Sequence, residues 1–308
     1  MVPGGRIAMK TSCRASALSS LILVLANGRA AGQTKISNDM AERVNKPVVY
    51  QVEGMDRVRV RKDLVYKKDG AVELKMDIST PEKMEPGETL PVVFFIHGGV
   101  PRDVPVQPKD WGIYRSWGRL IAASGMAAVT FNQRVGYPDP NLTQGAADLT
   151  DAIAFVRSRA ADFGIDPERI ALAAYSAGGP LLAAPIREPR PYIRCLVAFY
   201  AFLDLRPSAL HRKFLSEAQI RQFSPVVALS ESGNPPPIFV ARAGKDQIPD
   251  LLPGLDRFVA EALARNAPLV FYNQPAGEHG FDNQEGDPRS RDIVREAVAF
   301  LKSNLAAR

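Results

Sequence analysis

Six short runs in this chain are almost solidly apolar: PVVFFI (91–96), AAVTF (127–131), IALAAY (170–175), CLVAFY (195–200), PIFVAR (237–242) and LVFYN (269–273). A strand that alternates apolar and polar side chains leaves one face wet. A strand apolar on both faces must be covered on both, as in a parallel sheet sandwiched between helices. The intervening segments have helical spacing. Within 145–163, Leu149, Ile153, Val156, Ala160 and Phe163 form one stripe, with Arg157 and Arg159 off it. Within 289–305, Ile293, Ala297, Phe300, Leu301 and Leu305 do the same. Between the first of these helices and the next strand lies GIDPERI (164–170), where Gly164 can end the helix and Pro167 prevents its continuation. Upstream, VRVRKDLVY (58–66) and VELKMDIS (72–79) alternate across a Lys68-Asp69-Gly70 turn, which predicts a hairpin.

This grammar predicts one α/β domain over residues 58–308: a mostly parallel, twisted sheet with helices on both faces, led by an antiparallel hairpin. A chain of 308 residues, 46% hydrophobic, can bury one large core of this kind. Residues 33–57 read as a polar leader. Residues 206–236 interrupt the alternation. RPSALHRKFLSEAQIRQF offers a helix and SPVVALSESGNPPP a Pro-rich return, either a small cap over a site or a surface excursion.

The run IALAAY ends in AYSAG (174–178), which places Ser176 between a strand and a helix. A serine hydroxyl is a weak nucleophile without a base beside it, a group to orient that base, and donors for the oxyanion that forms. A sharp strand-to-helix turn supplies part of this. It lifts the hydroxyl beyond the sheet and leaves the N–H of Ala177 at a helix N-terminus, and it demands small residues two places either side, here Ala174 and Gly178. Pro180 fits a first helical turn, where its missing N–H costs nothing.

The chain has three histidines. His97 follows PVVFFI, and Gly98 and Gly99 beside it point to a backbone role. His211 sits among Arg and Lys in the 206–236 excursion and is expected to face solvent. His279, in PAGEHGFD, follows the last strand in a glycine-rich loop, the position for a base. The carboxylate that orients it should follow PIFVAR. Asp246 in AGKDQIPD stands there, with Asp250 and Asp204 as competitors. A second oxyanion donor must come from another loop at the same end of the sheet. FIHGGV provides one, since Gly98 and Gly99 let the backbone approach a substrate.

HGG (97–99), DPERIALAAYSAGG (166–179), the aspartate of AGKDQIPD and the histidine of GEHGF together resemble the α/β-hydrolase fold family, and in particular its esterases and lipases with an HGG oxyanion loop. The resemblance runs over roughly residues 58–306 in the family's chain order of serine, acid, histidine. It implies Ser176 as nucleophile, Asp246 as acid and His279 as base, with Gly98, Gly99 and Ala177 forming the oxyanion hole. Ala174 replaces the glycine usual in the elbow, and HGGV replaces HGGG.

The expected activity is hydrolysis of a small carboxylic ester through an acyl-enzyme, with no cofactor. Trp111, Tyr114 and Trp117 in KDWGIYRSWG, with Tyr137 and Phe281, are candidates for the substrate pocket; the alternative for the aromatics of KDWGIYRSWG is helix core. The lack of a long apolar lid favours short or medium chains, or aromatic esters, over long triglycerides. A peptidase of the prolyl-oligopeptidase type is a second reading, weakened because only about 60 residues precede the fold, too few for a propeller. A non-catalytic binding protein on the same fold is a third.

Residues 1–32 read as an export signal: Arg6, Lys10 and Arg14, then the apolar ALSSLILVLA (17–26), then Ala30, Ala31 and Gly32 before a cut at Gln33. The apolar run is too short to span a bilayer, so no stable membrane insertion is expected of the mature protein. That segment holds four basic residues and no acid, so its removal takes the formal net charge from +6 to +2. Nucleic acid is therefore not an expected partner. Of the two cysteines, Cys13 leaves with the signal, and Cys195 lies in an apolar strand as a buried, inert thiol. No Cys or His spacing suits a metal.

Overall fold

The computed structural model of the chain describes residues 42, 44–101, 104, 106–284 and 287–306; the expected signal segment, 1–32, lies outside them. Every solid apolar run is a strand. The strands are β1 (Arg59–Asp69), β2 (Val72–Thr80), β3 (Leu90–Ile96), β4 (Val100–Pro101), β5 (Ala127–Phe131), β6 (Gly136–Tyr137), β7 (Ile165–Tyr175), β8 (Ile193–Phe199), β9 (Ile238–Ala243) and β10 (Leu269–Gln274). The helices are α1 (Gly112–Ala123), α2 (Leu142–Ser158), α3 (Ala160–Phe163), α4 (Ala183–Arg187), α5 (His211–Phe214), α6 (Glu217–Gln222), α7 (Pro225–Glu231), α8 (Leu251–Ala264) and α9 (Pro288–Leu305).

Eight strands form one sheet in the order β1-β2-β5-β3-β7-β8-β9-β10. β1 and β2 pair antiparallel around Gly70, whose φ of +60° suits a glycine in the turn. β2 also meets β5 antiparallel, and from β5 to β10 every pairing is parallel. The solid apolar runs follow from this. Val92, Phe94, Ile96, Ile170, Leu172 and Ala174 face a core shared with α2, α7 and α8. Their neighbours Val93, Phe95, Ala171, Ala173 and Tyr175 face a second core shared with α1 and α9. Covered on both faces, a strand has no position left for a polar side chain.

Three segments differ from expectation. β7 begins at Ile165, so GIDPERI is already strand and not a separator, although Gly164 does close α3 with φ +65°. The 206–236 excursion folds as three short helices. α6 starts with a capping box between Ser216 and Gln219, and the expected Pro-rich return opens with α7, where Pro225 takes the first helical position. Val226, Val227 and Leu229 are buried in the same core as α8, and His211, expected to face solvent, is buried with Nδ1 2.7 Å from Ser208 Oγ. The described part of the leader is also packed. Val48 is fully buried, its N–H donates to Ser116 Oγ at 2.8 Å, and the Val49 N–H donates to the Asp282 carbonyl at 2.8 Å. A segment with polar composition can still tie α1 to the turn at 281–283 through two valines, and composition alone does not show that. No described helix is long and apolar enough to cross a membrane.

Candidate active site

At the end of β7 the backbone turns sharply, and Ser176 has φ +52°, in the left-handed region that a residue with a Cβ seldom enters. The turn works only because its neighbours are small. A Cβ on Gly178 would lie 2.6 Å from the His97 carbonyl oxygen and 2.8 Å from that of Ile96, and Ala174 is fully buried. The segment that follows, Ser176–Leu182, is a 3₁₀ helix rather than the expected α-helix, with Pro180 inside it. Proline has no N–H to offer the carbonyl four residues back. That carbonyl, of Ser176, instead accepts the Phe202 N–H at 3.0 Å, which ties the elbow to the loop after β8.

His279 and Asp246, remote in sequence, meet at the same end of the sheet. Their loops are stapled together: Gly244 N–H donates to the Gln274 carbonyl and Lys245 N–H to that of Gly277, each at 2.8 Å. A Cβ on Gly244 would lie 2.6 Å from the Pro275 carbonyl oxygen, so the close approach needs a glycine. Asp246 Oδ1 accepts the Ile248 N–H at 3.0 Å, which aims Oδ2 at His279 Nδ1, 2.7 Å away. A carboxylate on Nδ1 holds the proton there and leaves Nε2 as the basic nitrogen. The competitors are spoken for. Asp204 is buried between Arg206 and Arg257, and Asp250 accepts the Ala209 N–H in front of α8.

The loop after β3 lies against the elbow. A Cβ on Gly98 would sit 3.0 Å from Ser176 Cβ, and one on Gly99 3.3 Å from Ala177 Cβ. The His97 ring braces this loop from beneath. Nδ1 lies 2.7 Å from the Gly98 carbonyl and Nε2 3.2 Å from the Gln133 N–H. A carbonyl only accepts and an amide only donates, so the ring is the neutral Nδ1–H tautomer, and burial lowers its pKa to about 4. The reading of Gly98 as an oxyanion donor is corrected here, because its N–H donates to the Tyr114 hydroxyl at 3.2 Å. Gly99 and Ala177 remain as the adjacent candidate donors.

Comparison with known proteins agrees with this fold. The BD-FAE family model matches residues 76–185, from β2 through the elbow to α4. Esterase 2 of Thermogutta terrifontis with propionate bound superposes with a TM-score of 0.65 at 22% identity, over 82% of this chain and 97% of that one. The same esterase phosphonylated by sarin gives 0.65 at 23%, over 82% and 98%. The chain has the α/β-hydrolase fold. Gut esterase 1 of Caenorhabditis elegans is 31% identical over 124 residues, 38% of this chain and 21% of that protein. A probable isoprenylcysteine α-carbonyl methylesterase of Oryza sativa subsp. japonica is 29% identical over 119 residues, 37% and 26%. The chain thus spans about a fifth to a quarter of the length of these two curated relatives.

Four of the five residues expected to line a pocket, Trp111, Tyr114, Trp117 and Phe281, are corrected to core. Trp111 is stacked on Tyr114 and its indole N–H donates to the Val106 carbonyl. Trp117 and Phe281 are buried, packed on Phe95 and Phe199 respectively. Trp111 at the N-cap of α1, and Tyr114 and Trp117 within it, recur at helical spacing on its inward side, which is why they reach the sheet and not a substrate. Only Tyr137 is partly exposed. It lines a cleft of about 270 Å³ with Val100, Gln133 and Gly136, and its Cβ lies 3.6 Å from where a Gly99 Cβ would be. The sequence reading missed Tyr200, Gln133 and Asp282, whose partners are all remote in the chain.

Proposed function

We propose that this α/β-hydrolase is a carboxylic ester hydrolase. Ser176 attacks the ester carbonyl as His279 Nε2 takes its proton, Asp246 steadies the resulting imidazolium, and the N–H groups of Gly99 and Ala177 receive the oxyanion. The tetrahedral adduct expels the alcohol, which takes its proton from His279. Water then attacks the acyl-enzyme with the same histidine as base, releasing the acid and restoring the serine. The observation that carries this reading is the 2.7 Å Asp246–His279 contact at the end of the sheet where Ser176 is held at φ +52°. No step calls for a cofactor.

A cleft of about 270 Å³ beside Gly99 is at the small end for a ligand site and favours short or medium acyl chains, or a single aromatic ring. Both relatives are named as esterases, which supports the reaction class. Export with cleavage before Gln33 belongs to the same reading, and mass spectrometry of the secreted chain checks it. The deciding experiment treats the protein with a fluorophosphonate. One adduct per chain, on Ser176 and absent in Ser176→Ala, is expected. A folded chain that takes up no label would make it a binding protein, and faster turnover of peptide amides than of nitrophenyl esters would make it a peptidase.

A further inference from the structure

Behind His279 lies a second carboxylate that the triad does not use. Asp282 is fully buried among aromatic rings. Its Oδ1 accepts the Tyr200 hydroxyl at 2.7 Å and its Oδ2 the Trp117 indole N–H at 2.8 Å. The indole can only donate, so at Oδ2 a carboxyl proton would have no acceptor. At Oδ1 such a proton would turn the Tyr200 hydroxyl into an acceptor and strand the hydroxyl's own proton. Both contacts therefore match an ionised group. Burying a charge among Tyr175, Phe199, Trp117 and Phe281 is costly unless it is compensated.

Tyr200 connects this carboxylate to the base. Its ring meets the His279 imidazole edge-on, with centroids 4.6 Å apart, while its hydroxyl holds Asp282. Its backbone is held at φ +36°, a region that a bulky residue enters only under constraint from its surroundings. The Tyr200 N–H donates to the Ala241 carbonyl at 2.8 Å, which is part of that constraint. Backbone strain and a buried carboxylate thus meet at Tyr200, whose ring touches the imidazole.

Taking the triad reading above as given, we propose that Tyr200 and Asp282 are positioning residues for His279: the Tyr200 ring sets the plane of the imidazole, and the Asp282 charge, held by Tyr200, adds to Asp246 in stabilising the imidazolium. Around His279 the ionisable groups are Asp246 from the loop after β9, Asp282 from its own loop, and Tyr200 after β8. Tyr175 and Tyr114 lie behind Asp282, and burial raises the pKa of both, so they stay neutral. Glu278 precedes His279 in its loop, and Lys245 beside Asp246 is exposed. Burial holds the Asp282 pKa above the usual carboxylate range, and its donors and His279 offset only part of that rise.

A negative charge near a histidine raises its pKa, so removing the charge lowers it. In Asp282→Asn the His279 titration should move down by on the order of one pH unit. The acid limb of kcat/KM should move with it, and plateau kcat should fall about tenfold with KM unchanged. The titration is read directly by NMR of ¹⁵N-histidine-labelled full-length chain, with the His279 signal identified by its loss in His279→Gln. Tyr200→Phe keeps the ring and removes only a donor to Asp282; it should shift the titration in the same direction by less, and it serves if Asp282→Asn does not fold. An unmoved His279 titration in a folded variant that still labels at Ser176 overturns this proposal alone. Absence of fluorophosphonate labelling in the wild-type chain overturns the triad and the positioning role with it.

Discussion

Gly178→Ala adds one methyl group at the point where the elbow passes beneath the oxyanion loop. The new carbon would stand 2.6 Å from the His97 carbonyl oxygen, 2.8 Å from the Ile96 carbonyl oxygen and 3.0 Å from Ile96 Cγ2. Ordinary contacts of this kind are about 3.4 Å, so the first gap must open by roughly 0.8 Å. Two of the three obstacles are backbone atoms at the end of β3, and a rotamer change cannot relieve them. Either the 3₁₀ segment withdraws or the 96–99 loop is pushed back, and both separate Ala177 from Gly99. Overpacking of this kind costs about 1–3 kcal/mol of stability. A misplacement near 1 Å costs about 10²-fold in rate. The expected result is a kcat/KM for nitrophenyl butyrate reduced about 100-fold, with a urea midpoint lowered but unfolding still cooperative. A variant with wild-type kcat/KM and stability within ~0.5 kcal/mol of wild type would refute the account of why this position must be glycine.

Asp246→Asn should lower kcat by about 10⁴-fold while leaving the fold intact, because it favours the wrong imidazole tautomer; stopped-time ester assays against matched circular dichroism would measure it. His97 and His211 are both held neutral by burial, with pKa lowered from 6.5 to about 4. The unfolded chain then binds more protons between these values, so stability is full above pH 6.5 and falls as pH drops towards 4. The slope approaches ~2.7 kcal/mol per pH unit when both contribute. Urea titrations across that window check it; His211→Asn should roughly halve the slope, and a flat profile would contradict the burial argument. Tyr137→Ala should enlarge the cleft beside Gly99 and move the preferred acyl chain up by a few carbons in a nitrophenyl ester series, whereas no change would remove Tyr137 from the substrate site.

The central strands, the hairpin and the long helices could be read from periodicity, because burial on two faces leaves a continuous apolar run and burial on one leaves a stripe. Ser176, Asp246 and His279 could be singled out as candidates because each follows a strand and carries a side-chain type that the proposed chemistry requires. The Trp111, Trp117 and Phe281 readings failed for one reason: an aromatic near a catalytic loop has the same local signature whether it faces a substrate or the sheet. The same ambiguity hid His211, whose basic neighbours point outward while its own ring packs against Phe202.

The central strands, the turn at Ser176 and the choice of His279 as candidate base follow from short-range facts: which residues are small, which are apolar, and what succeeds each strand. Only the tertiary structure decided that Gly98 is occupied by Tyr114, that Asp246 and not Asp204 reaches the imidazole, and that Asp282 lies behind Tyr200. Each of these joins residues 16 to 82 positions apart. Such contacts are set by how β7, β8 and β9 stack side by side, and hydrogen bonds across a sheet leave no periodic trace in a linear chain.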